Sequence, residues 1–190
     1  MLNIVTQSGN FDPWVKYNSK AGRWYIKGEN GDQEVQNPTF VADFDGIKTG
    51  WLWFAAGAAP SRVWDKSLTE PAAKPDENHK RGFSVRLFSQ AAFGGVVELS
   101  SSSMHICNSI NELYTQYEAD KAKNAGQLPV IQYTGATPMK DKHGTNYKPE
   151  FKILKWVARP VELESEYEQS APVAVAKAVA PPVTNSTSEF

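Results

Sequence analysis

Rings and cations alternate in this chain at the two-residue spacing of an extended backbone. In the run Arg23, Trp24, Tyr25, Ile26, Lys27, strand geometry turns Trp24 and Ile26 to one side and Arg23, Tyr25 and Lys27 to the other. The second side reads cation, ring, cation. Trp14, Lys16, Tyr17 and Lys20 just upstream repeat the theme, as do Arg62, Trp64 and Lys66, then His79, Lys80 and Arg81. Such a surface offers a flat face for stacking and an ammonium or guanidinium for an anion. Groups for covalent chemistry do not converge in the same way. His79, His105 and His143 have no H-x3-H or C-x2-C partner for a metal, and no Walker-type or dinucleotide glycine motif occurs. Cys107 falls on the apolar side of a helix, where a thiol is inert. No catalytic residue, cofactor or resident metal is expected.

Two acidic patterns speak for a rival, a metal-dependent nuclease. Asp43 and Asp45 fall on one side of a strand and together can hold Mg²⁺. Glu150 and Lys152 have the acid-x-lysine form that some nucleases set beside a Pro-Asp such as Pro75-Asp76. The two segments lie far apart in the chain, and paired acids on a strand more often keep a sheet edge soluble.

Strands must position most of these groups, because helical periodicity is convincing in one segment only. Over residues 101–123, Met104, Cys107, Ile110, Tyr114 and Tyr117 recur in steps of three and four, with Ile106 and Leu113 widening the stripe. Serines at its front can cap free amides, and Asn124 and Gly126 supply the stop. Three strand regions precede this helix and two follow. The expected fold is therefore mostly β with one main helix, in the order strand-strand-strand-helix-strand-strand of a five-stranded OB barrel whose helix plugs one end.

Along the chain, residues 1–21 read as a lead-in because Pro13 removes a backbone donor. Residues 29–38 read as a loop. Asp45-Gly46 signals a hairpin, although Gly46 and Gly50 equally suit one bent strand. Beyond Lys48, Trp51 and Trp53 share one side and Leu52 and Phe54 the other. Residues 55–80, with three prolines, form a long excursion carrying Arg62. In the next strand Phe83, Val85 and Leu87 point inward while Ser84, Arg86 and Phe88 face out. After the helix, residues 128–134 form a strand, and 135–149 a polar loop carrying Lys140, Lys142, His143, Tyr147 and Lys148. The last strand, 150–157, places Phe151, Ile153 and Val157 on one side with Lys152 and Trp156 on the other. The domain would close at residue 160, and 161–190, acidic and then Ala/Pro/Val-rich, reads as a disordered tail ending in Glu189-Phe190.

Bulk properties agree with a binding protein. Residues 1–160 carry 19 Lys plus Arg against 16 Asp plus Glu, whereas 161–190 carry Lys177 against five Glu. A mildly basic body suits a polyanion. One cysteine permits no disulfide framework, no apolar run approaches ~18 residues, and the N-terminus lacks a signal-peptide layout. A soluble cytoplasmic protein without membrane contact is expected, and a homo-oligomer is compatible with the sequence.

Unpaired bases expose flat faces that stack on rings at about 1–3 kcal/mol each, while phosphates follow a track of Lys and Arg. Duplex DNA hides those faces. The expected ligand is single-stranded DNA, bound without sequence preference. Phosphates would be neutralised by Lys16, Arg23, Lys27, Lys48, Arg62, Lys80, Arg81, Arg86, Lys140, Lys142, Lys148 and Lys152. Bases would stack on Tyr25, Trp53, Phe88, Tyr147 and Trp156. The alternative from another class is a Trp-rich module that stacks on sugar rings or a protein partner, such as a virion accessory protein.

The element order, the ring-and-cation strands and the acidic tail ending in Phe190 together resemble the single-stranded DNA-binding proteins of tailed-phage replication. FDPWVKYN, FDGIKTGW, HKRGF, GATPMKDKHGTNYKP and FKILKWVARP are also similar to segments of phage-encoded proteins of this size. The likeness spans about residues 10–160 and is one of pattern. It implies a role in replication, recombination or transcription in the host cytoplasm. It also implies a tail that competes with DNA, with Glu189 and Phe190 contacting replication or transcription proteins. One departure stands: residues 184–188 are neutral, where the family sets acids beside the final Phe.

Overall fold

A computed structural model describes residues 13–164. Among them, ten strands and two helices follow the order β1 (Trp14–Asn18), β2 (Arg23–Gly28), β3 (Gly31–Val35), β4 (Thr39–Ala42), β5 (Lys48–Trp53), β6 (Ser61–Trp64), β7 (Lys80–Ser89), α1 (Gln90–Phe93), β8 (Gly95–Ser101), α2 (Met104–Lys121), β9 (Gln127–Asp141) and β10 (Gly144–Ala158). The chain is mostly β with one main helix, as its periodicity implies. It has ten strands where five were expected.

β4 and β5 are one strand interrupted. Both run antiparallel to β7, and between the Ala42–Leu87 and Lys48–Ser84 pairs five residues on one strand answer two on the other. The surplus is a 3-10 turn, Phe44–Gly46, whose Gly46 amide donates to the Asp43 carboxylate at 3.2 Å. Gly46 thus belongs to a kink and not to a hairpin. Counting β4 and β5 as one, the path from Thr39 to Ala158 passes through β7, β8, α2, β9 and β10, with β6 and α1 as short additions.

The strands join in the order β10-β9-β4-β7-β8-β1-β2-β3, and β5 pairs with β7 and β6. This sheet curls into an open half-barrel. Its concave face holds the core, including Phe40, Phe44, Val85, Leu87, Leu99 and Ile131. Phe83, Val85 and Leu87 do point inward as their alternation requires. Rings join the two ends of the sheet. Trp24 of β2 meets Tyr133 of β9 at 5.7 Å and Phe151 of β10 at 5.9 Å, both edge to face. Phenol hydroxyls reinforce the seam: Tyr17 donates to the Tyr147 carbonyl at 3.0 Å, and Tyr133 to the Gly22 carbonyl at 3.2 Å.

Several expected loops are strands. The lead-in contains β1, whose Val15 and Tyr17 are buried while its alternate residues face solvent. Pro13 merely precedes it, and its carbonyl accepts from the Glu98 amide. β1 runs parallel to β8, a pairing no local signal announces. Residues 29–38 contain the polar edge strand β3, and 55–80 contain β6. Residues 135–149 are the outer half of a long hairpin, turning at Lys142-His143, with Asp141 opposite Gly144. There Thr137, Thr145 and Tyr147 supply β propensity that Gly and Pro obscure.

Two face assignments change. In α2 the buried stripe is Ile106, Ser109, Ile110, Leu113 and Tyr117, and Met104, 64% exposed, lies off it. In β10 a bulge between Ile153 and Lys155 rephases the strand. Phe151 and Ile153 face the core, but after the bulge Trp156 takes that side and stacks on Tyr117 at 5.6 Å. Val157 moves to the outer face with Val41, Leu128 and Val130. That outer cluster is closed by Leu163, fully buried in the 3-10 turn Val161–Leu163. The body therefore continues through residue 164. The remainder of the expected tail, with Glu189 and Phe190, lies outside the described residues.

Arg159 ties the end of β10 to the kink. It donates two hydrogen bonds to Asp43, at 2.9 and 2.8 Å, and one to Asp45 at 3.3 Å. Asp43 is 3% exposed. Asp45 also accepts from the Tyr117 hydroxyl and lies 3.6 Å from the Lys121 ammonium. Burial first, and the Asp45 carboxylate second, push the Tyr117 phenol above its ordinary value. Asp43→Ala removes two of the Arg159 hydrogen bonds at a buried site and is expected to cost about 3 kcal/mol in urea denaturation, whereas replacing both partners by leucine costs less than the single change. Equal stability of wild type and Asp43→Ala would remove the pair from this role.

Candidate nucleic-acid interface

The convex face between β6 and β2 brings rings and cations together. β1 presents Trp14 and Lys16 outward, and cross-strand pairing sets Lys16 against Tyr25. The Lys16 ammonium sits 5.1 Å from the Trp14 ring and 5.8 Å from the Tyr25 ring. Beside it runs a groove of about 370 Å³ lined by Trp14, Lys16, Phe54, Arg62 and Glu98, with four consecutive serines, Ser100, Ser101, Ser102 and Ser103, along one wall. Trp14 and Phe54 are 36% and 46% exposed. Strand alternation produces this arrangement: Val15 and Tyr17 must go into the core, so Trp14 and Lys16 cannot.

The β1–β2 turn links Ser103, at the end of the groove wall, to the hairpin tip. Ser19 Oγ and Ser103 Oγ share a hydrogen bond at 3.1 Å. Lys20 Nζ donates to the His143 carbonyl at 3.4 Å, and the Tyr147 amide donates to the Ser19 carbonyl at 2.7 Å. Gly22, at φ +66°, permits the contact, since a Cβ there would lie 3.2 Å from the Tyr147 side chain. Lys140 and Lys142 are exposed at this tip.

Many of the expected cations already have counter-ions. Lys16 pairs with Asp32 and Arg23 with Glu34 at 2.9 Å, both acids coming from β3. Arg62 pairs with Glu98 at 2.7 Å and Lys148 with Glu112 of α2 at 2.7 Å. Arg86 stands opposite Glu98 and donates to the Leu163 carbonyl at 3.1 Å. Lys27, Lys48, Lys80 and Lys152 are exposed on four different strands. Two expected stacking rings are spent on packing: Phe88 lies against the Leu163 cluster and Trp156 against the helix. Tyr147 packs beside Gly22. Trp53, 40% exposed, lies 6.0 Å from the His79 ring. Trp14, Phe54, Glu98 and the four serines were not expected at the site. Trp14 precedes Lys16 by two residues, the one signal that marked it.

Arg81 belongs to a separate hub. It grips Asp65 with two hydrogen bonds, 2.7 and 2.6 Å, while Asp65 also accepts from Thr49 Oγ1 at 2.6 Å and from the Ala72 amide at 2.9 Å. The Trp51 ring lies between Arg81 and Lys74, and its Nε1 donates to the Ala72 carbonyl at 2.8 Å. These bonds fasten the excursion to the sheet. Next to the hub a cleft of about 310 Å³ runs under α2, lined by Thr49, Phe83, Cys107 and Tyr114 among others. Burial pushes the Cys107 thiol up to about 11, so it stays protonated and unreactive.

A third cluster has the bonding order of a nucleophile relay. Asp76 accepts from His79 Nδ1 at 2.8 Å, and His79 Nε2 lies 2.9 Å from Ser61 Oγ. The burial is inverted from what acyl transfer requires, because His79 is 5% exposed beside Trp53 while Asp76 faces solvent. Asp76 also accepts from the amides of Asn78 and His79, which makes the cluster a clip for the returning loop. The acids weighed for a nuclease are likewise engaged: Asp43 and Asp45 by Arg159, and Glu150 by the Thr137 hydroxyl at 2.9 Å. Among the described residues no helix is long and apolar enough to cross a membrane.

No protein-family model, curated protein or solved structure matches this chain.

The Arg81 hydrogen bonds hold the Asp65 carboxyl well below the usual carboxylate range, with Thr49 and the Ala72 amide adding to the effect. A depressed folded-state value stabilises fully above the unfolded value of about 4 and is lost as pH falls. Asp65→Asn is therefore expected to melt below wild type at neutral pH, the gap narrowing as the pH drops from about 5 towards 2. It should also let trypsin reach Lys66 and Lys74 faster. A pH-independent gap would show that ionisation of Asp65 is not what fastens the loop.

Proposed function

We propose that this protein binds single-stranded nucleic acid, with single-stranded DNA as its ligand, through the groove beside β1. Its place is in phage-type replication, recombination or transcription. The observation that carries the reading is Lys16, an ammonium set between the Trp14 and Tyr25 rings at the lip of an open groove. Rings there stack on bases while the cation meets the adjoining phosphate, a combination indifferent to sequence and denied to duplex.

The path of the chain supports an OB-derived body. OB folds bind oligonucleotides with the face of the second and third strands and with the loops between strands one and two and between four and five. In the corresponding order here, strands two and three are β7 and β8, and β8 supplies Glu98 and Ser100 to the groove. The first loop supplies Phe54 and Arg62, and the last carries Lys142 and His143 at its tip, with Lys140 just before them. β1 takes the free edge of β8 and, with β2 and β3, widens the binding face.

One observation favours an uncharged ring ligand such as a sugar. Asp32, Glu34 and Glu98 neutralise three of the cations, leaving Trp14 and Tyr25 as stacking faces. Ionic strength separates the readings. Titrating tryptophan fluorescence with oligo-dT and with matched duplex is expected to show tighter binding of the single strand. Log affinity should fall with log salt by about 0.7 per phosphate engaged, and Trp14→Ala should weaken binding by about 1–3 kcal/mol. Equal affinity for duplex, or binding unchanged by salt, would end the single-strand reading.

A further inference from the structure

The groove holds a carboxylate where a threaded strand would bring a phosphate. Glu98, midway along β8, forms an ion pair with Arg62 Nη1 at 2.7 Å and accepts a hydrogen bond from Ser100 Oγ at 2.6 Å, both through the same oxygen. Arg62 rests its guanidinium 5.9 Å from the Trp64 ring. Its Nε is buried and has no acceptor. Guanidinium is a planar fork that meets two anion oxygens at once. Contact with a single carboxylate oxygen leaves that fork under-used, and a buried donor without an acceptor is unfavourable. A phosphate has enough oxygens to occupy Nε and a terminal nitrogen together.

We propose that Arg62 is a phosphate subsite of the groove and that Glu98 is its built-in competitor, an inference that rests on the nucleic-acid reading above. In the empty groove Glu98 keeps Arg62 neutralised and in place. When a strand enters, Arg62 transfers from Glu98 to the phosphate and its Nε gains an acceptor. Glu98 retains the Ser100 hydroxyl and stands opposite Arg86 on the neighbouring strand, so it is not left without company. Lys16 shows the same arrangement on the other lip, with Asp32 as its resident counter-ion. Binding then exchanges one anion for another. Affinity is lower than the number of cations implies, and release is correspondingly fast.

The test is a fluorescence-anisotropy titration of labelled oligo-dT into full-length wild type, Glu98→Gln, Arg62→Gln and Arg62→Lys at two salt concentrations, with thermal melting of each protein alongside. Glu98→Gln keeps the shape and the Ser100 bond but removes the competing charge, and should bind about threefold to tenfold tighter than wild type. Arg62→Gln should bind about tenfold more weakly, with a salt slope shallower by about 0.7. Arg62→Lys should restore the slope without restoring all of the affinity. A folded Glu98→Gln that binds like wild type, or more weakly, overturns the competitor role while the nucleic-acid reading stands. If wild type does not bind oligo-dT at any salt, both fall together.

Discussion

A buried carboxylate–guanidinium pair decides how this sheet curls. β4 and β5 both pair with β7, yet together they carry three more residues than β7 can match. Those residues are extruded as the Phe44–Gly46 turn, which leaves Asp43 pointing into the barrel wall beside Asp45. Two adjacent acids at a kink are unfavourable unless neutralised. Arg159 neutralises them, and it sits where β10 ends. The pair therefore fixes the C-terminal hairpin against the kink, and the hairpin carries Tyr133, Phe151 and Trp156 into the core from the far end of the sheet. Coulomb attraction alone gives a buried pair little net stability. Its effect is one of placement, because Asp43, which is buried, would have no acceptable position inside without Arg159.

The surface follows a different rule. Nearly every cation on the β1–β3 face stands opposite an acid, so this face carries rings with balanced charge and not a uniform positive field. Such a face does not attract polyanions over long distances, which agrees with the small net charge of residues 1–160. Under the proposed reading, contact with a nucleic acid would be short-range, with stacking first and exchange of counter-ions after. Exposed lysines lie at the margins, Lys140 and Lys142 at the hairpin tip and Lys27 on β2.

How much of this could be read in the sequence depends on the range of the forces involved. The helix and the inward set of β7 are set by local periodicity and were legible, whereas around residue 46 the sequence left a hairpin and one bent strand equally open. β1 was missed because Pro13 just before it argued against a strand, although its hairpin partner β2 follows at once and only its second partner, β8, lies about eighty residues away; β3 was missed because an edge strand exposed on both faces has no apolar alternation. Trp156 and Val157 were assigned to the wrong sides by one bulge, which rephases everything after Ile153. The ring-and-cation theme was legible at Lys16, Tyr25, Lys27 and Arg62. Its counter-ions were not, since Asp32, Glu34 and Glu98 reach those cations only through strand pairing.

That last distinction bears on what a composition-based reading of binding surfaces can deliver. Counting Lys, Arg and aromatic residues gives the chemistry a face can use, but not the fraction already satisfied. In this chain the satisfied fraction is large and uneven. Arg81, within a run that looked most basic, is committed to Asp65 and anchors a loop, while Arg62, isolated in sequence, lines the groove with a donor still unmet. The difference comes from strand parity. Arg81 pairs across from Trp51 on the concave side of β5, and Arg62 pairs across from Leu52 on the convex side. Strand alternation thus sets Arg81 against the loop it anchors and Arg62 on the wall of the groove.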